Sequence, residues 1–147
     1  MRPLQTRIRQ FTRETGIQQL VVEKDYALSY VLAGIASQPV LAETLIFKGG
    51  TALKKLYFGI YRFSEDLDFS TIKAPSGDQL EDTLGKGVAH AAELLNVQGP
   101  FTLEMKRYVE RDPHPSGQEA FIVRVQFPGT ESRSAGSNLR SHLKSLC

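Results

Sequence analysis

The sequence predicts an α/β fold (an α+β arrangement) in which a small mixed sheet is flanked by helices. Three features favour it: helical periodicity over residues 17–36, a short apolar run at 44–48 that ends in Gly49-Gly50, and two alternating runs between 101 and 127. Helical and strand patterns that follow one another along a single chain are typical of such domains. The 147 residues, of which 41% are hydrophobic, suffice for one domain with a buried core.

The first stretch repeats apolar residues at three- and four-residue spacing, which predicts one long helix. Thr15 or Gly16 is expected to begin this helix, and residues 37–39, Ser-Gln-Pro, to end it. Lys24 lies inside its apolar stripe and Asp25 at the edge. Charge normally lies on the far face of such a helix, so this placement is unusual. The two residues form a structural ion pair or an adjacent charged edge, or they have a role facing a cleft.

The segment at 44–48, "TLIFK", is expected to be a buried strand that the two following glycines end. Thr51 is expected to cap a new helix, which stops near Gly59. On that helix Lys54 is a candidate phosphate ligand, whereas Lys55 is expected to be solvated.

A second short strand is expected at residues 66–70, where acidic and apolar residues alternate. Alternate side chains of a strand point to the same face, so Asp66 and Asp68 should project together while Leu67 and Phe69 enter the core. Neighbouring carboxylates repel each other unless a divalent cation or a shared proton lies between them. Oxygen ligands suit Mg²⁺ or Mn²⁺. The alternative is a pair of solvated acids at a strand end.

The Gly49-Gly50 turn has the features of a phosphate-binding turn. Glycines let the backbone approach a phosphate, the first amides of the next helix point outward, and Thr51 adds a hydroxyl. The turn is neither a Walker A loop nor a G-x-G-x-x-G motif. A phosphate cradle beside a metal-binding Asp-x-Asp is typical of phosphoryl or nucleotidyl transfer. The alternative is a plain turn that leads into a helix.

The second half of the chain predicts a helix followed by a hairpin. Asp78 and Glu81 form a pair that resembles a capping box. The apolar stripe behind it comprises Leu80, Leu84, Val88, Ala91 and Leu95, although Gly85 and Gly87 weaken the helical pattern.

The alternating runs at 101–127 predict an antiparallel hairpin with a loop at 111–117. Residues 130–147 are rich in Ser and Arg and are expected to be an irregular or disordered tail outside a core of residues 1–129. Arg107, Arg111 and Arg124 form either a basic face for RNA or an ordinary solvated hairpin face.

The composition excludes several classes of protein. The one cysteine, Cys147, excludes an internal disulfide framework and a cysteine-based zinc site. No apolar run reaches the roughly 18 residues of a membrane span, and the basic N-terminus lacks a secretory apolar core. We therefore expect a cytoplasmic protein with no membrane partner. The net charge of +2 indicates no partner by itself.

Two segments in this order, "LIFKGGTALKKLY" and "RFSEDLDFS", resemble the catalytic core of the AbiEii/AbiGii toxin family. That family comprises nucleotidyltransferases of type IV toxin–antitoxin and abortive-infection systems, within the DNA-polymerase-β-like superfamily. The segment at 21–32, "VVEKDYALSYVL", is similar to the family's N-terminal Glu-Lys-Asp helix. The resemblance implies a polymerase-β-like nucleotidyltransferase core, in which nucleoside monophosphate passes from an NTP to an acceptor such as tRNA. It also implies a cognate antitoxin.

The same resemblance assigns roles to individual residues. Asp66 and Asp68 match the catalytic pair that holds Mg²⁺ or Mn²⁺. Arg62 and Ser64 match the Arg-x-Ser that precedes the pair, where the serine is a candidate site of inhibitory phosphorylation, and Asp25 is a candidate supporting residue. The residues matched to nucleotide binding are Gly49, Gly50, Thr51 and Lys24.

The sequence departs from the family pattern after the hairpin. Superfamily members use a third carboxylate on a later strand, but the strand "FIVRVQF" contains no acid and Glu119 lies only at its edge. Family members are also longer and carry a basic helical C-terminal half. These departures raise the alternative of a truncated, inactive remnant that binds nucleotide or antitoxin without catalysis. A third interpretation is an antibiotic-modifying nucleotidyltransferase, which shares the core but uses a small-molecule acceptor.

Overall fold

The computed structural model describes residues 3–57, 67–71, 73, 75, 77–108, 120–126 and 138–141. The elements in chain order are α1 (Leu4–Thr15), α2 (Gln19–Ala36), α3 (Pro39–Thr44), β1 (Leu45–Lys48), α4 (Gly49–Ala52), a π-helical segment (Leu53–Tyr57), β2 (Asp68–Thr71), α5 (Gly77–Asn96), β3 (Thr102–Tyr108), β4 (Ala120–Gln126) and β5 (Asn138–Ser141).

Helices and strands follow one another along the chain, which confirms the predicted α/β class. The strands pair in two sheets, β1 with β2 and, in the order β3-β4-β5, the other three. Every strand pairing within the described residues is antiparallel, so the expected mixed sheet is corrected there to two antiparallel sheets. The β3–β4 ladder confirms the predicted hairpin, whereas its loop at 111–117 lies outside the described residues.

The core lies between α2, α5 and the three-stranded sheet. All five apolar residues predicted for α5 are buried, and so are Phe121, Val123 and Val125 on alternate positions of β4. Buried residues of α2 that join them are Ala27, Leu28, Val31 and Ile35. Since each element contributes one apolar face, the core follows directly from the periodicities of 3.6 and 2.

Two glycines set the close approach of α2 and α5. A Cβ built on Gly34 would collide with the carbonyl oxygen of Gly87 and would lie 2.9 Å from Cβ of Ala91. A Cβ on Gly87 would lie 3.0 Å from the carbonyl oxygen of Gly34. Gly87, one of the two glycines that weaken the helical pattern of α5, therefore has a packing role, because only glycine lets the two backbones come this near.

The N-terminal region departs from the expectation. Residues 4–15 form a separate helix, in which only Leu4 and Ile8 are buried. Gly16, at φ 72°, ends that helix, and its N–H donates to the carbonyl of Thr12 at 2.9 Å. The prediction that Thr15 or Gly16 begins the long helix is therefore wrong; α2 begins at Gln19. Its end near Ser37 is confirmed.

Three further expectations are corrected by the strands and by α5. Strand β1 is only partly buried, since Ile46 is 49% exposed. Asp78 lies inside the first turn of α5 rather than before it, so the capping box is wrong. Strand β5 pairs with β4 within the segment expected to be an irregular tail. An edge strand needs mainly backbone hydrogen bonds, which leave little hydrophobic pattern in its sequence.

The acids at the start of α5 contact the second sheet. Nη1 of Arg107 on β3 lies 3.4 Å from Oδ1 of Asp78 and 3.8 Å from Oε2 of Glu81. Arg107 therefore ties the sheet to α5. Of the three arginines considered for a basic face, Arg111 lies outside the described residues, and the face itself stays a prediction.

We expect Gly34→Ala to lower the free energy of unfolding by about 1–3 kcal/mol, because the added methyl group must separate α2 from α5. The matched control is Gly85→Ala on α5, where a Cβ would meet only Cε of Met105 at 3.7 Å. That variant should gain up to about 1 kcal/mol from helix propensity. Urea denaturation of both variants measures the difference. Equal effects of the two substitutions would contradict the close crossing.

Burial, and then the Tyr30 hydroxyl, raises the pKa of Tyr26, although Arg7 acts in the opposite direction. The two hydroxyl oxygens are 3.2 Å apart. The raised pKa favours the neutral phenol of Tyr26 in the folded state. The contribution of this neutral phenol to the free energy of unfolding is complete below about pH 10 and is lost as the pH rises towards the folded-state pKa. Tyr26→Phe should therefore flatten the decline of unfolding free energy above about pH 10. Tyr57→Phe, at a 73% exposed residue, is the control.

Candidate nucleotide and metal site

The diglycine turn and the aspartate strand meet because β1 and β2 are paired. In the antiparallel register Lys48 lies opposite Asp68, so Gly49 comes directly beside the start of β2. Gly49 adopts a φ of 77°, which favours glycine. A Cβ on Gly49 would collide with Oδ2 of Asp68 and would lie 3.1 Å from its Cγ. Glycine is thus required here both by the backbone angle and by the adjacent carboxylate.

The apolar neighbours of Asp68 anchor the strand. Leu67 is fully buried and Phe69 is 3% exposed. The ring of Phe69 packs on that of Phe47 across the β1–β2 ladder, with ring centroids 5.3 Å apart. Asp68 itself is half-buried. The predicted inward orientation of Leu67 and Phe69 is therefore confirmed, and packing on both sides holds the carboxylate in place.

The environment of Asp68 fits a ligand for a hard cation. No lysine, arginine or other described residue forms a hydrogen bond or an ion pair with its carboxylate. The glycine backbone lies on one side of these oxygens, which are of the type that a hard cation prefers. Within the described part of the chain, His, Cys, Asp and Glu form no cluster of three or more that could hold a metal by itself. The second carboxylate of the predicted pair, Asp66, lies outside the described residues.

The helix after the turn begins earlier than the sequence predicts. Residue Gly49 is already helical, and Lys48 occupies the N-cap position without a side-chain capping bond. Thr51 is the third residue of α4 and is 1% exposed, so its predicted capping role is wrong. The positive φ of Gly49 turns the chain sharply at the end of β1, which moves the helix start forward and Thr51 into the interior.

Helix α2 contacts the π-helical segment that follows α4. Nζ of Lys55 lies 3.2 Å from Oδ1 of Asp25 and donates to Oγ of Ser29 at 2.7 Å. The side chains of Lys55 and Asp25 are 18% and 23% exposed. The expectation that Lys55 is solvated is therefore wrong. Asp25 forms an ion pair with Lys55, a partner that the sequence did not suggest. Lys24 is half-buried, and its nucleotide-binding role stays a prediction.

Lys55 and Ser29 are residues that sequence reasoning missed. Asp25 and Ser29 are four apart on one helix and share a face, but Lys55 lies thirty residues from Asp25. No local pattern connects residues at that separation. Arg62 and Ser64 lie outside the described residues, so their roles remain predictions.

The second sheet does not supply the expected third carboxylate on β4. Its residues 120–126 contain no acid, and Glu119 lies outside the described residues. Across β3, β4 and β5 the one acid is Glu104, which is exposed and lies opposite Arg124.

A comparison with protein families matches residues 30–144 to the nucleotidyl transferase AbiEii toxin of type IV toxin–antitoxin systems. The chain belongs to this family. The match includes β1, the diglycine turn, the Asp-x-Asp segment and the strands of the second sheet, which confirms the resemblance noted from the sequence. Lys24 and Asp25 precede the matched range. Family membership implies a nucleotide substrate and an antitoxin partner.

No curated protein matches the chain. In the part of this AbiEii-family chain that the structure describes, no helix combines the length and the apolar character of a membrane span.

We expect Gly49→Ala to cost about 1–2 kcal/mol of folding free energy for the left-handed backbone, and further energy because the methyl group displaces Asp68. The control is Gly16→Ala, at φ 72° with nothing within 4 Å of its Cβ position, which should show the backbone cost alone. Urea denaturation measures the loss of folding free energy in each of the two variants. Calorimetric titration with Mn²⁺ should show weaker binding only for Gly49→Ala. Equal costs with unchanged Mn²⁺ affinity would disprove the contact.

Proposed function

We propose that the chain is a metal-dependent nucleotidyltransferase toxin that transfers a nucleoside monophosphate from an NTP to a tRNA acceptor. The observation that best supports this is the contact between Gly49 and the carboxylate of Asp68, in a chain of the AbiEii family. It places a glycine turn suited to phosphate beside a carboxylate suited to a cation. Nucleotidyl transfer needs both groups at one place.

Asp66 and Asp68 would hold Mg²⁺ or Mn²⁺. When bound, the cation neutralises charge on the triphosphate and on the departing pyrophosphate. The exposed backbone at Gly49 and the adjacent Gly50 let phosphate oxygens approach the chain closely. Thr51 supports this turn from the interior, and Lys24 supplies positive charge from α2.

The reaction is a displacement at the α-phosphorus of the NTP. A hydroxyl of the acceptor attacks in line, its oxygen forms the new phosphoester bond, and the bond to the bridging oxygen of the β-phosphate breaks. Pyrophosphate leaves over the glycine turn, and the acceptor hydroxyl loses its proton. The role of the protein is to align the two substrates and to stabilise the negative charge between them.

The acceptor and the partner are proposed from the family. A tRNA 3′ end supplies the hydroxyl, its modification blocks translation, and an antitoxin encoded alongside counteracts the effect. NTP and tRNA place the activity in the cytoplasm. Phosphorylation of Ser64 would add negative charge two residues before Asp66 and so oppose binding of the triphosphate, with Arg62 as its neighbouring cation.

A second candidate function is binding of nucleotide or antitoxin without catalysis. The absence of an acid from residues 120–126 favours it, because the superfamily reaction uses a third carboxylate on a later strand. Such a protein would retain the phosphate turn and Asp68 but would not activate the acceptor hydroxyl.

Transfer of label tests the proposal directly. We expect the protein, incubated with Mg²⁺, total tRNA and each of four α-³²P-labelled NTPs, to label RNA with at least one of them. Asp68→Asn and Asp66→Asn should reduce transfer to background, because each removes half of the carboxylate pair. The control is Asp82→Asn, an exposed acid of α5 whose side chain is 69% exposed, which should leave transfer unchanged.

The other outcomes separate the candidates. Folded protein that binds a labelled NTP but transfers nothing would support the non-catalytic function. Label that enters an aminoglycoside antibiotic, added to a parallel incubation as a small-molecule acceptor, and does not enter RNA would indicate the antibiotic-modifying reaction. Transfer that survives in both aspartate variants would contradict the assignment of the site.

A further inference from the structure

Lys55 belongs to a closed network that joins the π-helical segment to α2. Its ammonium binds Oδ1 of Asp25 at 3.2 Å and donates to Oγ of Ser29 at 2.7 Å. Oγ of Ser29 in turn donates to the backbone carbonyl of Asp25 at 2.9 Å. Three groups from two elements therefore satisfy one another. Because Lys55 and Asp25 are mostly shielded from water, this pair is screened less than a surface ion pair.

The π-helical segment has little apolar packing to hold it. None of its five residues is fully buried. Its large apolar side chains face outward: Leu53 is 39%, Leu56 62% and Tyr57 73% exposed. Burial of apolar surface normally positions a helix, but here the large apolar side chains are exposed and the two lysines are half-buried. The ionic network of Lys55 therefore contributes to the attachment of this segment to α2.

The segment is continuous with the diglycine turn. The N–H of Leu53, its first residue, donates to the carbonyl oxygens of Gly49 and Gly50. A displacement of the π-helical segment is therefore transmitted through backbone hydrogen bonds to the turn that contacts Asp68. A π-helical turn is rare and often occurs at a functional site, since the extra residue in its turn redirects side chains.

We propose that Lys55 is a positioning residue: through Asp25 and Ser29 it locks the π-helical segment against α2 and so holds the Gly49-Gly50 turn in the orientation that receives the triphosphate. Lys55 acts through its neighbours and does not touch the phosphates, because its ammonium is occupied by Asp25 and Ser29. The phosphate part of this inference rests on the proposed function. The inference that Lys55 fixes the position of the π-helical segment and of the turn does not depend on the proposed function.

Two measurements test the inference, on Lys55→Met and Asp25→Asn. Amide hydrogen exchange at residues 53–57 should accelerate by roughly tenfold, a typical effect of losing one coupled contact, while exchange in the β3–β4 hairpin stays unchanged. Binding of Mg²⁺–tripolyphosphate, a probe without a base, should weaken by roughly tenfold in calorimetry. Lys55→Arg should restore both properties, since a guanidinium can also pair with Asp25.

The matched control is the exposed ion pair of Lys86 and Asp82 on α5, with side chains 65% and 69% exposed. Lys86→Met should change neither readout. Uniform acceleration of exchange across the whole chain in Lys55→Met would show general destabilisation and would overturn the positioning role, as would unchanged exchange at residues 53–57. If the unmodified protein fails to bind Mg²⁺–tripolyphosphate, the phosphate turn of the proposed function is refuted, and hydrogen exchange alone then decides the role of Lys55.

Discussion

The contact between Gly49 and the carboxylate of Asp68 is the constraint on which the site depends. It requires a glycine at the end of β1, a left-handed backbone angle there and a fixed register between β1 and β2. A shift of β2 by one residue would send Asp68 into the core and Leu67 to the surface. The burial of Leu67 and Phe69 prevents that shift. Hydrophobic packing on one face of the strand therefore fixes the position of the Asp68 carboxylate on the other face.

Helix α2 connects this site to the rest of the protein. One face crosses α5 at Gly34, where the backbones touch, and another holds Lys55 through Asp25. Close packing makes α2 a rigid support, and the polar network of Lys55 joins the π-helical segment, which follows α4, to this helix. Under the proposed function, activity and stability would depend on different residues of one helix.

The sequence predicts the elements with strong local patterns and misses those without them. The stripe of α5 and the alternation around Asp68 are predicted correctly because each element buries one face. Helix α1 buries only two residues, and β5 is a four-residue strand at the edge of the three described strands, so neither leaves a clear pattern. The Lys55–Asp25 pair spans thirty residues, which no periodicity encodes. The collision that demands glycine at residue 49 likewise needs the paired strands.

Paramagnetic broadening by Mn²⁺ in an amide NMR spectrum tests the central claim most directly, because it locates the cation on the chain without requiring catalysis. Substoichiometric Mn²⁺ should first broaden the amides of Gly49, Gly50 and Asp68, and the broadening should disappear in Asp68→Asn. The first turns of α5 offer a competing acidic surface, formed by Asp78, Glu81 and Asp82. Broadening centred on α5 and unchanged in Asp68→Asn would contradict the account.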